Sequence, residues 1–390
     1  MVYKIATILS EVHRMDELKY NLDQSLAELD KLVGLSAKET DKTACETLAE
    51  KARIIYEQYP ESEDIALLYA RILFNLSTEQ TELKELETTA KKLKKLQKQF
   101  QDSHDIALQY AMILFNLSTV QTELKEIEAT VEKLEKLQKQ FQDSHDIAEA
   151  FARILFNLST EQTELEELET TAKKIEKLQQ KFQDSHDIAE VFAGTLLLLS
   201  FEQTGLKERM ATAEKLEKLQ QKFQDSHDIA KAFAGTLLLL SFEQTVLKEL
   251  ETTAKKLEKL QQKFQDSHDI AEAFAKTLLL LSAKQTGLKK PETTAKKLEK
   301  LQQKFQESHD IAEVFAKILF ILSIKQTGLK ELETTAKKLE KLQQQFQDSH
   351  DIAEVFARIL FILSIKQTGL KELETTAKKL EKLQQQFQDS

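Results

Sequence analysis

Glycine and proline are scarce: the 390 residues contain 7 and 2, where average usage gives roughly 27 and 20. Strands joined by tight turns draw on Gly, Pro, Asn and Asp for their special dihedrals. Dinucleotide-binding and hydrolase folds need Gly in their loops. Both classes are excluded. The single cysteine, Cys45, permits no internal disulfide, which fits a reducing compartment. No apolar run approaches the roughly 18 residues of a membrane span, and the apolar start of the chain meets Glu11 and His13 too soon for a signal peptide. A cytoplasmic location is expected. Positive charge is not in excess either: the formal net charge is −10, against the basic balance of nucleic-acid modules.

What is present is helical and repetitive. Charged residues make up 31% of the chain and hydrophobic ones 41%, a soluble composition that is neither disordered nor membrane-spanning. The string Ser-His-Asp-Ile-Ala begins at Ser103, Ser144, Ser185, Ser226, Ser267, Ser308 and Ser349. Ser62-Glu-Asp-Ile-Ala stands one step of 41 residues earlier. A diverged copy in the same register fills 21–61, so nine units are expected: 21–61, 62–102, 103–143, 144–184, 185–225, 226–266, 267–307, 308–348 and 349–389. The last two differ only at Lys317 and Arg358, which points to recent duplication or design. Residues 1–20, with Ile5, Ile8, Leu9, Val12, Met15 and Leu18 on one stripe, are expected to form an N-terminal capping helix.

The unit 144–184 predicts two helices. In the first, Ile147, Ala148, Phe151, Ala152, Ile154, Leu155 and Leu158 fill a broad arc, as in a helix packed on several sides. Asp143 and Ser144 can cap its start. In the second, Leu165, Leu168, Ala172, Ile175, Leu178 and Phe182 form a narrow stripe among Lys, Glu and Gln. That helix is expected to be the longer, roughly 18–22 residues, with most of its surface in water. Ser159-Thr-Glu-Gln162 between them has the form of a capping box. Gly205, Gly287, Gly328 and Gly369 suggest a turn just before the second helix, and Pro291 should fray the first turns of its own. A hairpin of this kind cannot bury its apolar face alone, and stacking buries it. A continuous coiled coil fails because 41 is not a multiple of seven.

The spacing Tyr69-x-x-Ile72-x-x-x-Leu76 and the junction Tyr59-Pro60-Glu61-Ser62 resemble the tetratricopeptide superfamily. Later units keep the aromatic (Phe151, Phe192, Phe233). They replace the proline by Gln101 or Gln142, and the small residue of the first helix by Leu73 or Leu155. The unit exceeds the family's length of about 34 residues. The resemblance implies an all-α, right-handed α-solenoid of helix-turn-helix repeats. It further implies a scaffold that binds peptides or proteins, usually along a concave side lined by the first helices.

The candidate binding surface is the first-helix arc opposite the packed one, where the units differ. One row reads Glu149, Glu190, Lys231, Glu272, Glu313 and Glu354. The next reads Arg153, Gly194, Gly235, Lys276, Lys317 and Arg358. A third changes from Asn157 to Leu198, Leu239, Leu280, Ile321 and Ile362. Beside it Thr160 becomes Phe201, Phe242, Ala283, Ile324 and Ile365. An apolar strip flanked by charge is a candidate protein surface. The competing reading is that curvature buries these residues between hairpins. Gly194 and Gly235 would let another backbone approach, or are tolerated drift. The last helix leaves Leu373, Ala377, Leu380, Leu383 and Phe387 without a following unit, a candidate for end-to-end association with another chain.

No cofactor, metal or catalysis is expected. The Ser-His-Asp tripeptide sits at a helix start, whereas a triad needs convergence in space. Equivalent histidines in layers about 8–10 Å apart are too distant to share one metal. An RNA-binding helical repeat array stays the weaker alternative, because a base-per-repeat reader needs side chains that differ from unit to unit and these units are too alike.

Overall fold

Ser144 shows how most of the units begin. Its backbone is extended, and its hydroxyl accepts from the Ile147 N–H, satisfying one of the donors a helix start leaves free. Ser62, Ser185, Ser226, Ser267, Ser308 and Ser349 do the same three residues ahead. The computed structural model describes the backbone of residues 2–285 and 289–387, and the side chains of 19–285 and 291–387. Every regular element among them is an α-helix. In chain order these are α1 (Val2–Ser36), α2 (Lys42–Gln58), α3 (Glu63–Thr78), α4 (Leu83–Gln99), α5 (His104–Ser118) and α6 (Leu124–Gln140). Then come α7 (His145–Glu161), α8 (Leu165–Lys181), α9 (His186–Glu202), α10 (Leu206–Lys222), α11 (His227–Glu243) and α12 (Leu247–Lys263). The series ends with α13 (His268–Lys284), α14 (Lys289–Lys304), α15 (His309–Lys325), α16 (Leu329–Gln345), α17 (His350–Lys366) and α18 (Leu370–Gln386).

The chain forms two compact units, Met1–Leu198 and Leu199–Ser390. In the first, α1, α3, α5 and α7 pack in succession, and α2, α4 and α6 each lie against the first helix of the following hairpin. In the second, α11, α13, α15 and α17 pack in succession, with α10, α12, α14 and α16 each against the next odd-numbered helix. The first helices therefore carry the core. Ile147, Ala148, Ala152, Ile154 and Leu155 are fully buried and Phe151 is 5% exposed. Burying one Leu, Ile or Phe stabilises by about 1.5–3 kcal/mol. In the second helix only Leu168, Ala172, Ile175 and Leu178 of the expected stripe are buried. Leu165 opens the helix in the open, and Phe182 becomes its C-cap, edge-on to His145 at 5.7 Å. Neighbouring second helices are joined by long side chains: Lys174 to Glu135 at 3.2 Å, and Lys256, Lys338 and Lys379 to Glu217, Glu299 and Glu340 at 2.7 Å.

Several expectations are corrected. The boundary at residues 20 and 21 falls inside the uninterrupted helix α1, so the lead is not a separate element; its stripe from Ile5 to Leu18 lies outside the described side chains. The second helix is not the longer: α7 and α8 both have 17 residues. The capping box is absent because the first helix runs on through Glu161. Ser159 donates to the Phe156 carbonyl at 2.7 Å, and Gln162 Oε1 instead accepts from Thr171 of α8 at 2.9 Å. The same Gln–Thr latch recurs as Gln80–Thr89, Gln121–Thr130, Gln203–Thr212, Gln244–Thr253, Gln326–Thr335 and Gln367–Thr376. Gly205, Gly328 and Gly369 do precede the second helix, as its N-cap, while Gly287 lies outside the described residues. Pro291 lies within the first turn of α14 without ending it, because the first four N–H groups of a helix have no internal acceptor and a missing one costs little there.

A second latch explains a substitution within the array. Asn75, Asn116 and Asn157 donate across the hairpin interface to Ser36, Ser77 and Ser118 at 2.8, 2.9 and 2.8 Å. Leu239 and Leu280 replace this Asn, and a threonine one turn earlier takes over: Thr236 meets Ser200 at 3.2 Å and Thr277 donates to Ser241 at 3.3 Å. The next hairpin has Ile318 and Ile321 at both places, and the buried Ser282 hydroxyl has no partner. An unpaired buried hydroxyl costs about 1–3 kcal/mol. Ser282→Ala is accordingly expected to be neutral or to raise the urea midpoint, whereas Ser241→Ala lowers the midpoint through a loss of about 1 kcal/mol of stability; denaturation followed by circular dichroism compares the two.

Burial also pushes the phenols of Tyr69 and Tyr110 up to about 12. A folded-state value above the unfolded one means stability that is complete below pH ~10 and is lost as pH rises toward 12. Later units carry Phe at this position. The double variant Tyr69→Phe, Tyr110→Phe is expected to lose less stability over that alkaline window than the parent, measured by melting as a function of pH.

Candidate functional site

All eighteen first-helix positions singled out above are at least partly open, and none is buried. In the first unit, Arg153 bridges Glu149 at 2.7 Å and Asp187 of the next helix at 3.3 Å, with its guanidinium 5.9 Å from the centre of the Phe115 ring. Arg153, Glu149, Phe115, Phe74 and Met112 line a cavity of about 270 Å³ on this face. Asn157 is turned to Ser118, so its amide is used within the array. Glu190 is paired with His186 at 3.1 Å. A Cβ at Gly194 would stand 2.9 Å from the Phe156 ring, so this glycine admits a side chain of the preceding helix rather than a foreign backbone.

In the second unit the charged rows are engaged with one another. Lys231 pairs with Asp269 at 3.0 Å, Lys317 with Asp351 at 2.7 Å, Lys276 with Glu272 and Arg358 with Glu354. Glu313 accepts from the Ser349 hydroxyl at 3.0 Å. The apolar rows are not covered. Leu239, Leu280, Ile321 and Ile362 are half-buried. Phe242, Ile324, Phe361 and Ile365 are 59%, 63%, 62% and 69% exposed. Phe361 belongs to a neighbouring row of the same arc, whose signal in the sequence is the run Leu238, Leu279, Phe320, Phe361 at the repeat step. On α18, Leu373, Leu380 and Phe387 are half-buried, Ala377 is exposed and Leu383 is 8% exposed. Their counterparts on α16, where α17 covers them, are Leu332, Ala336, Leu339, Leu342 and Phe346, all 6% exposed or less.

The Ser-His-Asp strings have a local use. Besides the serine caps, His104 and His268 reach the serine that opens the next unit, Ser144 and Ser308, at 2.7 and 2.9 Å. The rings of His104, His145, His268 and His309 stand edge-on to the phenylalanine that ends their own hairpin. Cys45 is buried, its sulfur 3.7 Å from the Glu39 carbonyl, and burial pushes its thiol up. No helix among the described residues is long and apolar enough to cross a membrane. Sequence reasoning missed the grooves between neighbouring second helices, one of about 730 Å³ between α10 and α12. Their signal was a glutamine (Gln220, Gln343) on the buried stripe of an otherwise charged helix.

No protein-family model matches the chain, and no curated protein does. Among solved structures, a chain of Naa15/Naa10 bound to HypK-THB is 15% identical, over 93% of this chain and 64% of that one, with a TM-score of 0.20. This chain thus spans less than two thirds of that protein's length. A chain from the computational design of self-assembling cyclic protein homo-oligomers is 14% identical, over 86% of this chain and 94% of that one, with a TM-score of 0.10. Superpositions this loose carry no argument about curvature or partners. What stands is the architecture itself, a consecutive array of helical hairpins.

Proposed function

We propose that the chain is a non-catalytic interaction scaffold of tetratricopeptide-like kind, built from 41-residue hairpins, that holds a peptide or protein segment along its first helices in the second unit. The observation that carries this reading is the exposure of large apolar side chains there, Phe242, Ile324 and Ile365 of one row and Phe361 of the row beside it, each more than half open to water. Exposed apolar patches mark partner sites. The charged side chains beside it are paired with one another, as in the rim of an interface. The same reading sets the protein in the reducing cytoplasm, where Cys45 stays a thiol.

Leu239→Glu with Leu280→Glu places charge on the strip at half-buried positions, where the expected stability loss is only about 1 kcal/mol. Proteins captured from the native host by the parent should be lost with this variant, and purified partners should bind at least tenfold more weakly, on the order expected for anchor residues. Identical capture by both proteins, with circular dichroism unchanged, refutes the site.

A second reading, stacking of α18 on another copy, is favoured by the contrast between its open face and the covered one of α16. It predicts concentration-dependent association in sedimentation equilibrium that Leu380→Glu abolishes. A clean monomer at high concentration excludes it.

A further inference from the structure

Successive second helices do not close on one another. The groove between α10 and α12, of about 730 Å³, has Phe233 and Leu260 in its floor, 4% and 7% exposed. Gln220, 8% exposed, lines its wall. The Gln220 Nε2 donates to the Gln224 carbonyl at 2.9 Å, which fixes the orientation of the amide. Its Oε1 is buried and has no hydrogen-bond partner among the described residues, as at the equivalent Gln138, Gln179, Gln261, Gln302 and Gln343 of other hairpins; a buried carbonyl without a donor is uncommon in folded proteins. The charges are unbalanced. Glu217 is taken by Lys256 at 2.7 Å, and Glu258 by Lys297 of α14 at 2.7 Å. Lys255 and Lys259 also line the groove and have no acidic partner among the described residues.

We propose that this groove is a binding site for an aromatic carboxylate that carries an N–H or O–H donor away from its acid group. The ring packs on Phe233 and Leu260, where aromatic pairs gain by offset or edge-on contact. The carboxylate meets the ammonium groups of Lys259 and Lys255. The donor supplies the hydrogen bond that Gln220 Oε1 lacks. The same parts recur in a cavity of about 140 Å³ between α16 and α18, lined by Phe356, Leu383, Gln343 and Lys382. The Gln343 Oε1 is likewise buried and unpartnered. This site is separate from the first-helix face, so its failure leaves the scaffold reading standing.

The chain contains no tryptophan, so the fluorescence of an added indole reports its own environment without background. Indoleacetate is the probe for titration into the full chain. Naphthaleneacetate keeps the shape but lacks the N–H, and indoleacetamide keeps the N–H but lacks the charge. Indoleacetate is expected to bind with rising anisotropy, and each analogue to compete roughly tenfold less well. In the variant Lys255→Gln, Lys259→Gln, Lys382→Gln, all at exposed positions, the tightest indoleacetate binding should weaken by about the same factor while indoleacetamide is unaffected. The proposal is overturned if anisotropy stays flat at millimolar probe, if the three compounds compete equally, or if the lysine variant keeps the preference for the acid.

Discussion

The structure depends on one packing contact, the second helix of each hairpin against the first helix of the next. Within a hairpin the two helices share a smaller face, and the broad arc of Ile147, Phe151, Ile154 and Leu155 cannot be covered by α8 alone. It is covered from the neighbouring hairpins, α5 and α6 among them. That requirement fixes which residues vary little between units. It also explains why stability here is a sum over neighbours rather than the property of a closed core. Part of the polar network follows the same rule: the Asn–Ser and Thr–Ser pairs and the Lys–Glu pairs of the second helices run between hairpins, while the Gln–Thr latches close each hairpin on itself.

One constraint releases another. Because the second helices meet through long side chains, grooves stay open between them, and the buried glutamine row lies along these grooves. Because the first helices are pressed together on their packed arc, their opposite arc is free to change without loss of folding. The exchange of Asn157 for Leu239 shows the coupling. The asparagine serves the interface with Ser118; where Leu239 stands in its place, Thr236 meets the serine of the preceding hairpin from one turn earlier. Where neither side chain is present, Ser282 bears the cost.

Much of this was legible in the sequence. The apolar arc, the serine caps and the helix count per unit follow from a 3.6-residue period and the chemistry of free N–H groups, which act locally. The lengths of the two helices were not. Ser159 and Gln162 match a capping box in pattern, yet the apolar arc of α7 continues to Leu158 and carries the helix past them, and Gln162 finds Thr171 instead. The break expected after residue 20 failed for a related reason: no proline or glycine stands near residue 20 (Gly34 lies in the last turn of Val2–Ser36), and an amphipathic stripe has no inherent end. Gly194 read as room for a foreign backbone, because the ring that fills the space, Phe156, lies a full unit earlier in the chain.

The candidate surface was legible in a different way. Variation among near-identical units located the first-helix arc, since drift accumulates where packing does not forbid it. Charge pattern alone misjudged what that arc offers. Arg153, Lys276, Lys317 and Arg358 look like recognition residues in sequence, but folding draws each onto a carboxylate of its own or the next helix. The charges then set the border, and the uncompensated feature left for a partner is apolar: Phe242, Ile324, Phe361 and Ile365, side chains that a helix at this place in the array holds open to water at a cost. The opposite side inverts the balance. There the second-helix grooves keep their apolar floor covered and leave a buried carbonyl and two ammonium groups unanswered. The two faces therefore differ chemically, one presenting open apolar side chains bordered by paired charge and the other lysines above a covered apolar floor.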